Sequence, residues 1–242
     1  MALDPLKQFE IKPIVPIEVA GIDLSFSNAS LLMVIGALLT VGFLNIGMSR
    51  RALVPGRWQA AGETLYEFIA NLIKEQTGSK GREYFPFVFT IFMVVLMGNF
   101  LGMIPFSFTY TSHIIVTFAL AMVVFLTVTI VGFMKHGLHF LTLFTPAGVP
   151  WPLLFLVVPI ELIAYLSRPI SLSIRLFANM MAGHIMLKVF AGFAVTLGVL
   201  GGIAPLLLII ALTGFEFLIA FIQAYVFAVL TCVYLKDALE LH

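Results

Sequence analysis

Apolar runs of spanning length alternate with short polar breaks along this chain, and their lengths predict membrane-crossing helices. Residues 29–48 carry no charge and form a first span. Residues 58–76 differ: Trp58, Leu65, Phe68, Ile69, Leu72 and Ile73 follow helical spacing, with Glu63, Glu67, Lys74 and Glu75 between them. That segment is too polar to span and reads as an amphipathic helix on the membrane surface or against a partner. Two further spans fit 84–104 and 113–134, separated by a polar turn around Pro105, Ser107, Thr109 and Ser112. Beyond them, 151–193 and 203–236 read as two long helices joined at Gly198, Gly201 and Gly202. Arg168-Pro169 is too short a break for a reversal and implies only a kink. Both helices exceed a perpendicular span, so they must tilt strongly or lie partly along the membrane.

The expected fold is therefore an all-α integral membrane protein. It has about five crossings and one amphipathic surface helix, and forms a single membrane domain over 29–242. Residues 1–28, with three prolines and several acids, form a water-facing arm that lacks the basic-then-apolar pattern of a signal peptide. Composition agrees: 61% of the 242 residues are hydrophobic and only 10% charged. A soluble domain runs near 45–50% apolar and about 25% charged. A soluble enzyme, a disordered chain and a disulfide scaffold are excluded. A net charge of +1 excludes polyanion binding through bulk charge, nucleic acid included. Cys232 is the single cysteine, which leaves no intrachain disulfide or cysteine metal cluster. No other metal site or cofactor is expected.

Arg50, Arg51, Arg57, Lys74, Lys80, Arg82 and Lys135 lie in the loops after the first and third spans. The positive-inside bias places those loops in the cytoplasm, the N-terminus outside and the C-terminus inside.

The last third holds polar groups at membrane depth, where they are costly and normally functional. On an ideal helix Glu161, Arg168 and Arg175 fall within about 40° of one face, joined by Ser171, Asn179 and Ala182. His184 lies about 180° from Arg175, with Lys188 beside it. Glu216 and Gln223 share a face of the last helix. Folding the two helices at the glycines brings Arg175 level with Gln223 and His184 level with Glu216, the second pair roughly 10–14 Å nearer the turn. Arginine stays protonated, so it can hold a carboxylate ionised and repel a cation. Histidine and glutamate can pass protons. The nearest carboxylate on the Arg175 face is Glu161, about 21 Å along the axis, so the counter-charge is expected on another subunit. Ser171, Ala178 and Ala182 are small enough to let a neighbouring helix approach.

The stretch PISLSIRLFANMMAGH at 169–184 resembles the signature of subunit a of F-type ATP synthases, the stator channel of the Fo motor. QAYVFAVLTCVYL at 223–235 is similar to that family's last helix, and NFLGMIP at 99–105 and residues 111–120 fit it as well. The resemblance covers residue 29 to the end. It implies a chain that works against a rotating c-ring whose subunits each carry a membrane carboxylate, with two aqueous half-channels. It also implies a peripheral stalk of subunit b or b/b′, the rest of the ATP synthase, membrane lipid, and protons as the only small substrate. Arg175 matches the essential arginine between the half-channels, and Asn179 and Gln223 match its polar neighbours. Glu161 matches a carboxylate of the cytoplasmic exit. His184 and Glu216 match the outer pair, and Asn99 joins the path. The acid and the histidine are exchanged between helices relative to the enterobacterial pattern, as in alphaproteobacterial and mitochondrial members. The implied location is a bacterial inner membrane, or alternatively a mitochondrial one.

Other readings stay open at this level. His184 and Glu216 also suit a buried structural pair, Glu161 a partner for Arg168, Asn99 a cap on backbone groups, and Lys188 a snorkelling chain. A haem-bearing anchor would need His184 as an axial ligand. A secondary transporter would show related halves, but the polar residues crowd into the last third. Sodium rather than protons as the coupling ion depends on the ring.

Overall fold

The computed structural model describes residues 9–16, 18–19, 22–23, 25–48, 55–104, 107–145 and 150–240. The first eight residues of the arm, and Arg50, Arg51 and Pro105 of the expected turns, lie outside the described residues.

The arm contains short strands that the hydrophobic pattern does not predict. β1 (Pro13–Val15) pairs antiparallel with β4 (Phe26–Ser27), and β2 (Glu18–Val19) with β3 (Ile22–Asp23). Runs of two or three residues are too short for alternation to register. Asn28 ties this ribbon to the first helix. Its side-chain oxygen accepts from the Lys12 and Ala29 amides at 3.1 and 3.0 Å, and its Nδ2 donates to the Glu10 carbonyl at 3.2 Å.

The rest is helical: α1 (Asn28–Met48), α2 (Arg57–Thr77), α3 (Phe85–Gly102), α4 (Ile114–His136), α5 (Trp151–Thr196), the short α6 (Gly198–Gly201) and α7 (Ile203–Leu239). Five helical segments are long and apolar enough to cross a membrane: α1, the α2–α3 run, α4 with its following 3-10 turn, α5 and α7. α2 buries Ile69, Leu72, Ile73 and Thr77 and leaves Glu63, Glu67, Lys74 and Glu75 exposed. Its polar face therefore stays outward while one apolar stripe joins the core.

α7 packs against α2, α3, α4 and α5, and the core lies along it. Phe92, Val95, Val124, Leu172, Leu176, Met180, Phe227 and Leu235 are closed off at its centre. The outer faces remain strongly apolar: Leu38, Ile115, Trp151, Phe155 and Leu207 are all exposed. In a membrane such positions meet acyl chains, which accounts for the excess of hydrophobic residues over what this core can enclose.

α5 has 46 residues, about 70 Å of helix, against a hydrocarbon layer of about 30 Å. It contains Pro159 and Pro169 yet runs without a break. Proline at 169 has no amide to bond the Tyr165 carbonyl, so the helix is weakened there rather than ended. Gly198 reverses the chain after α5 with φ +69°, in the left-handed region that suits glycine. α5 and α7 then run back to back from this turn, which decides which of their polar groups meet.

Candidate functional site

His184 and Glu216 meet across the α5–α7 hairpin. His184 Nδ1 lies 2.5 Å from Glu216 Oε1, and the two residues are 7% and 4% exposed. The other ring nitrogen faces α3 and the turn after it. His184 Nε2 is 2.9 Å from the Gly102 carbonyl and 2.9 Å from the Thr109 hydroxyl, while that hydroxyl donates to the same carbonyl at 3.2 Å. A carbonyl cannot donate, and the Thr109 hydrogen is already committed. The hydrogen therefore sits on Nε2, assigned here from its acceptors. What remains is a single proton between Nδ1 and Glu216. It lies either on the ring, facing a carboxylate, or on the carboxyl, facing a neutral ring. Without it a lone pair faces a carboxylate. The pair is thus a one-proton device. With both nitrogens engaged, His184 has no lone pair free for haem iron.

The backbone near the pair is shaped for it. A Cβ on Gly183 would fall onto the Glu216 carboxylate, so glycine lets the α7 acid lie flat against α5. Phe9 of the arm approaches the His184 ring, with centroids 6.5 Å apart. In the 3-10 turn before α4 burial pushes the Tyr110 phenol up to about 12, and at His113, which follows that turn, it holds the imidazole below its ordinary value. Both are therefore uncharged at neutral pH.

One to two turns further from the hairpin turn, Gln223 is buried and its Oε1 accepts from Asn179 Nδ2 at 2.9 Å. The level predicted for Gln223 was that of Arg175; the hydrogen bond goes to Asn179, one turn nearer the hairpin turn. Arg175 makes no hydrogen bond or ion pair among the described residues and lies on an exposed face of α5. Ser171, Ala178, Asn179 and Ala182 are exposed on that side as well. Asn99 on α3 is fully buried and donates to the Ala220 carbonyl at 3.2 Å. Its Oδ1, together with Glu216 Oε2 and Gln223 Nε2, is buried without a partner among the described residues.

Beyond Arg175 the sequence reading misses a cluster. Arg168 pairs with Asp237 at 2.9 Å, with its guanidinium over the rings of Tyr165 and Tyr234 at 5.1 and 4.9 Å. Thr129 of α4 meets the Tyr165 hydroxyl at 2.7 Å. Glu161 is half-buried and is not the partner of Arg168. Removing one side of this half-buried pair is expected to cost about 1–3 kcal/mol, between the values for exposed and buried pairs. Asp237→Ala should lower the thermal midpoint of the purified complex, and the double change Arg168→Met with Asp237→Ala should recover part of that loss.

These features define a multi-pass α-helical membrane protein with an acid–base pair buried between two overlong helices and an arginine open on one of them. Residues 30–236 match the family described as ATP synthase A chain. The chain is 61% identical to an ATP synthase subunit a of Rhizobium etli, with 99% of this chain and 98% of the relative covered. It is 57% identical to that of Pelagibacter ubique, with both chains fully covered, and 55% identical to that of Rhodospirillum rubrum over 98% and 99% of the two chains. The chain belongs to this family, the proton-channel stator subunits of the Fo sector of F-type ATP synthase. It is a multi-pass membrane subunit of a bacterial enzyme and non-catalytic by itself.

Proposed function

We propose that Arg175 is the gate between two half-channels and that the exposed face of α5 carrying it lies against the c-ring. The supporting observation is the contrast between the two cations of this helix: Arg168 is neutralised by Asp237, whereas Arg175 is left without a counter-charge among the described residues. A permanent charge at membrane depth calls for a carboxylate from outside the chain. A passing ring carboxylate supplies it, stays ionised beside Arg175, and is protonated or deprotonated only on either side. Ser171, Ala178 and Ala182 leave room for the ring helix on that face. Asn179 and Gln223 position polar atoms behind it.

On the periplasmic side the proton enters and leaves at the open Oε2 of Glu216 and is shared with His184, with Asn99 and Gln223 Nε2 able to bind water along the route. Glu161 serves the cytoplasmic exit. The N-terminus is periplasmic and the C-terminus cytoplasmic, which puts the His184 end of the hairpin outside. The polar face of α2 suits the b or b/b′ stalk.

Disulfide trapping tests the ring contact. Cys232 is buried, so a cysteine placed at Ser171 or Ala178 is the reactive thiol of this chain. In membranes carrying ring subunits with a cysteine beside their carboxylate, both positions should crosslink to the ring. A cysteine at Leu38, on the far-lying α1, should not. Crosslinking at Leu38 with none at Ser171 or Ala178 would remove the assignment of this face.

A further inference from the structure

The proton-path reading of His184 and Glu216 leaves open what keeps the ring in the one orientation that can exchange a proton with the acid. The α3–α4 turn contains a group in the right place. Thr109 is 2% exposed, in extended backbone immediately before the 3-10 turn. Its carbonyl accepts from the Ser112 hydroxyl at 2.5 Å and the Ser112 amide at 3.2 Å, so the residue is held from behind. Its side chain occupies the space where a Cβ on Gly102 would stand. Gly102 is thus the position that lets Thr109 reach both the Gly102 carbonyl and the His184 ring.

We infer that Thr109 is a positioning residue for the proton relay: its hydroxyl fixes the hydrogen on His184 Nε2 and thereby aims Nδ1 at Glu216. The inference rests on the reading of that pair as part of the proton path. The hydroxyl gives its hydrogen to the Gly102 carbonyl and turns its lone pairs to Nε2, so Nε2–H has two oxygen acceptors. The ring cannot turn over without placing a C–H against both, and it cannot move its hydrogen to Nδ1 alone without leaving Nε2 bare before them. The exchange is then restricted to one line. The N–H bond at Nδ1 breaks as an O–H bond forms on Glu216, and the reverse, with Nε2–H unchanged throughout. The methyl of Thr109 takes no part in this, so the hydroxyl and the packing of the side chain can be separated by substitution.

The test uses the whole enzyme in inverted membrane vesicles, reading ATP-driven acidification with a quenched acridine dye. Subunit amounts are matched by immunoblot. Thr109→Val keeps the shape and loses the hydroxyl; Thr109→Ser keeps the hydroxyl and loses the methyl; Thr109→Ala loses both. The serine variant should pump close to the wild type, and the valine and alanine variants about tenfold less, the equivalent of one hydrogen bond at about 1.4 kcal/mol. Equal pumping by the serine and alanine variants, or a valine variant that outperforms serine, would overturn the inference in favour of packing. Failure of both hydroxyl-free variants to accumulate while the serine variant does so would overturn it too, by assigning the hydroxyl to folding. Arg175→Ala runs alongside. If that variant pumps normally, the proton-path reading itself fails; if it is inactive while serine and alanine at 109 are equal, only the role of Thr109 fails.

Discussion

Arg175→Ala will reduce ATP-driven proton pumping by about 10²-fold or more, the scale of losing a preorganised electrostatic group. The structure gives this residue no partner among the described residues and sets it on an open face, so its removal leaves the packing of α5 against α7 in place. The variant should assemble in normal amount. On the proposed reading, what disappears is the charge that keeps a ring carboxylate ionised between half-channels. On that reading the same charge also repels protons crossing directly from one half-channel to the other. Passive conductance of vesicles stripped of the catalytic sector should therefore rise as pumping falls. Arg175→Lys should also be severe, since an ammonium on a flexible stem lacks the planar fork and can lose its proton. Normal pumping by the alanine variant would leave the gate assignment without support.

Gly183→Ala is expected to have the second-largest effect. The added Cβ would fall onto the Glu216 carboxylate and stand 3.2 Å from its Cγ. That carboxylate is not a loose end: it is buried and held by His184 at 2.5 Å. Either the pair separates or the helices do. Overpacking of this kind costs about 1–3 kcal/mol, and a displaced acid should lower pumping by about tenfold or more. Gly214→Ala on α7 is the control. A Cβ there meets nothing within 4 Å, and alanine within a helix is favoured over glycine by roughly 0.5–1 kcal/mol. That variant should pump normally and melt no lower than the wild type.

The five spanning helices were legible because apolar runs of that length have few other uses, and the glycines at 198–202 marked the reversal that folds α5 on α7. Levelling the hairpin from this turn also brought His184 to Glu216. It was less accurate further along, where Gln223 bonds to Asn179 rather than standing level with Arg175. The physical reason is a drift in register. Contacts advance from 184 to 168 along α5 while they advance from 216 to 237 along α7, so matched steps on two ideal antiparallel helices lose phase. Allowing for that drift, Asp237 was within reach as the partner of Arg168. Thr109 and Gly102 were not, since they come from a polar turn and the end of α3 before it, whose folding onto α5 leaves no periodic trace. The β-ribbon of the arm was hidden for a related reason, its strands being shorter than any alternation.

The bare guanidinium on α5 also bears on the life of the chain before assembly. An arginine at the centre of a membrane helix carries a penalty of about 2.5–3.5 kcal/mol on insertion scales. With no acid paired to it among the described residues to offset this, the orphan subunit is less comfortable in the bilayer than one whose arginine meets a partner's carboxylate. If a ring carboxylate is the counter-charge, as proposed, the lifetime of the chain is tied to the supply of a rotor, and surplus copies present membrane proteases with a chain already under strain. On that reading, matched stoichiometry in this enzyme is in part enforced by one unsatisfied charge.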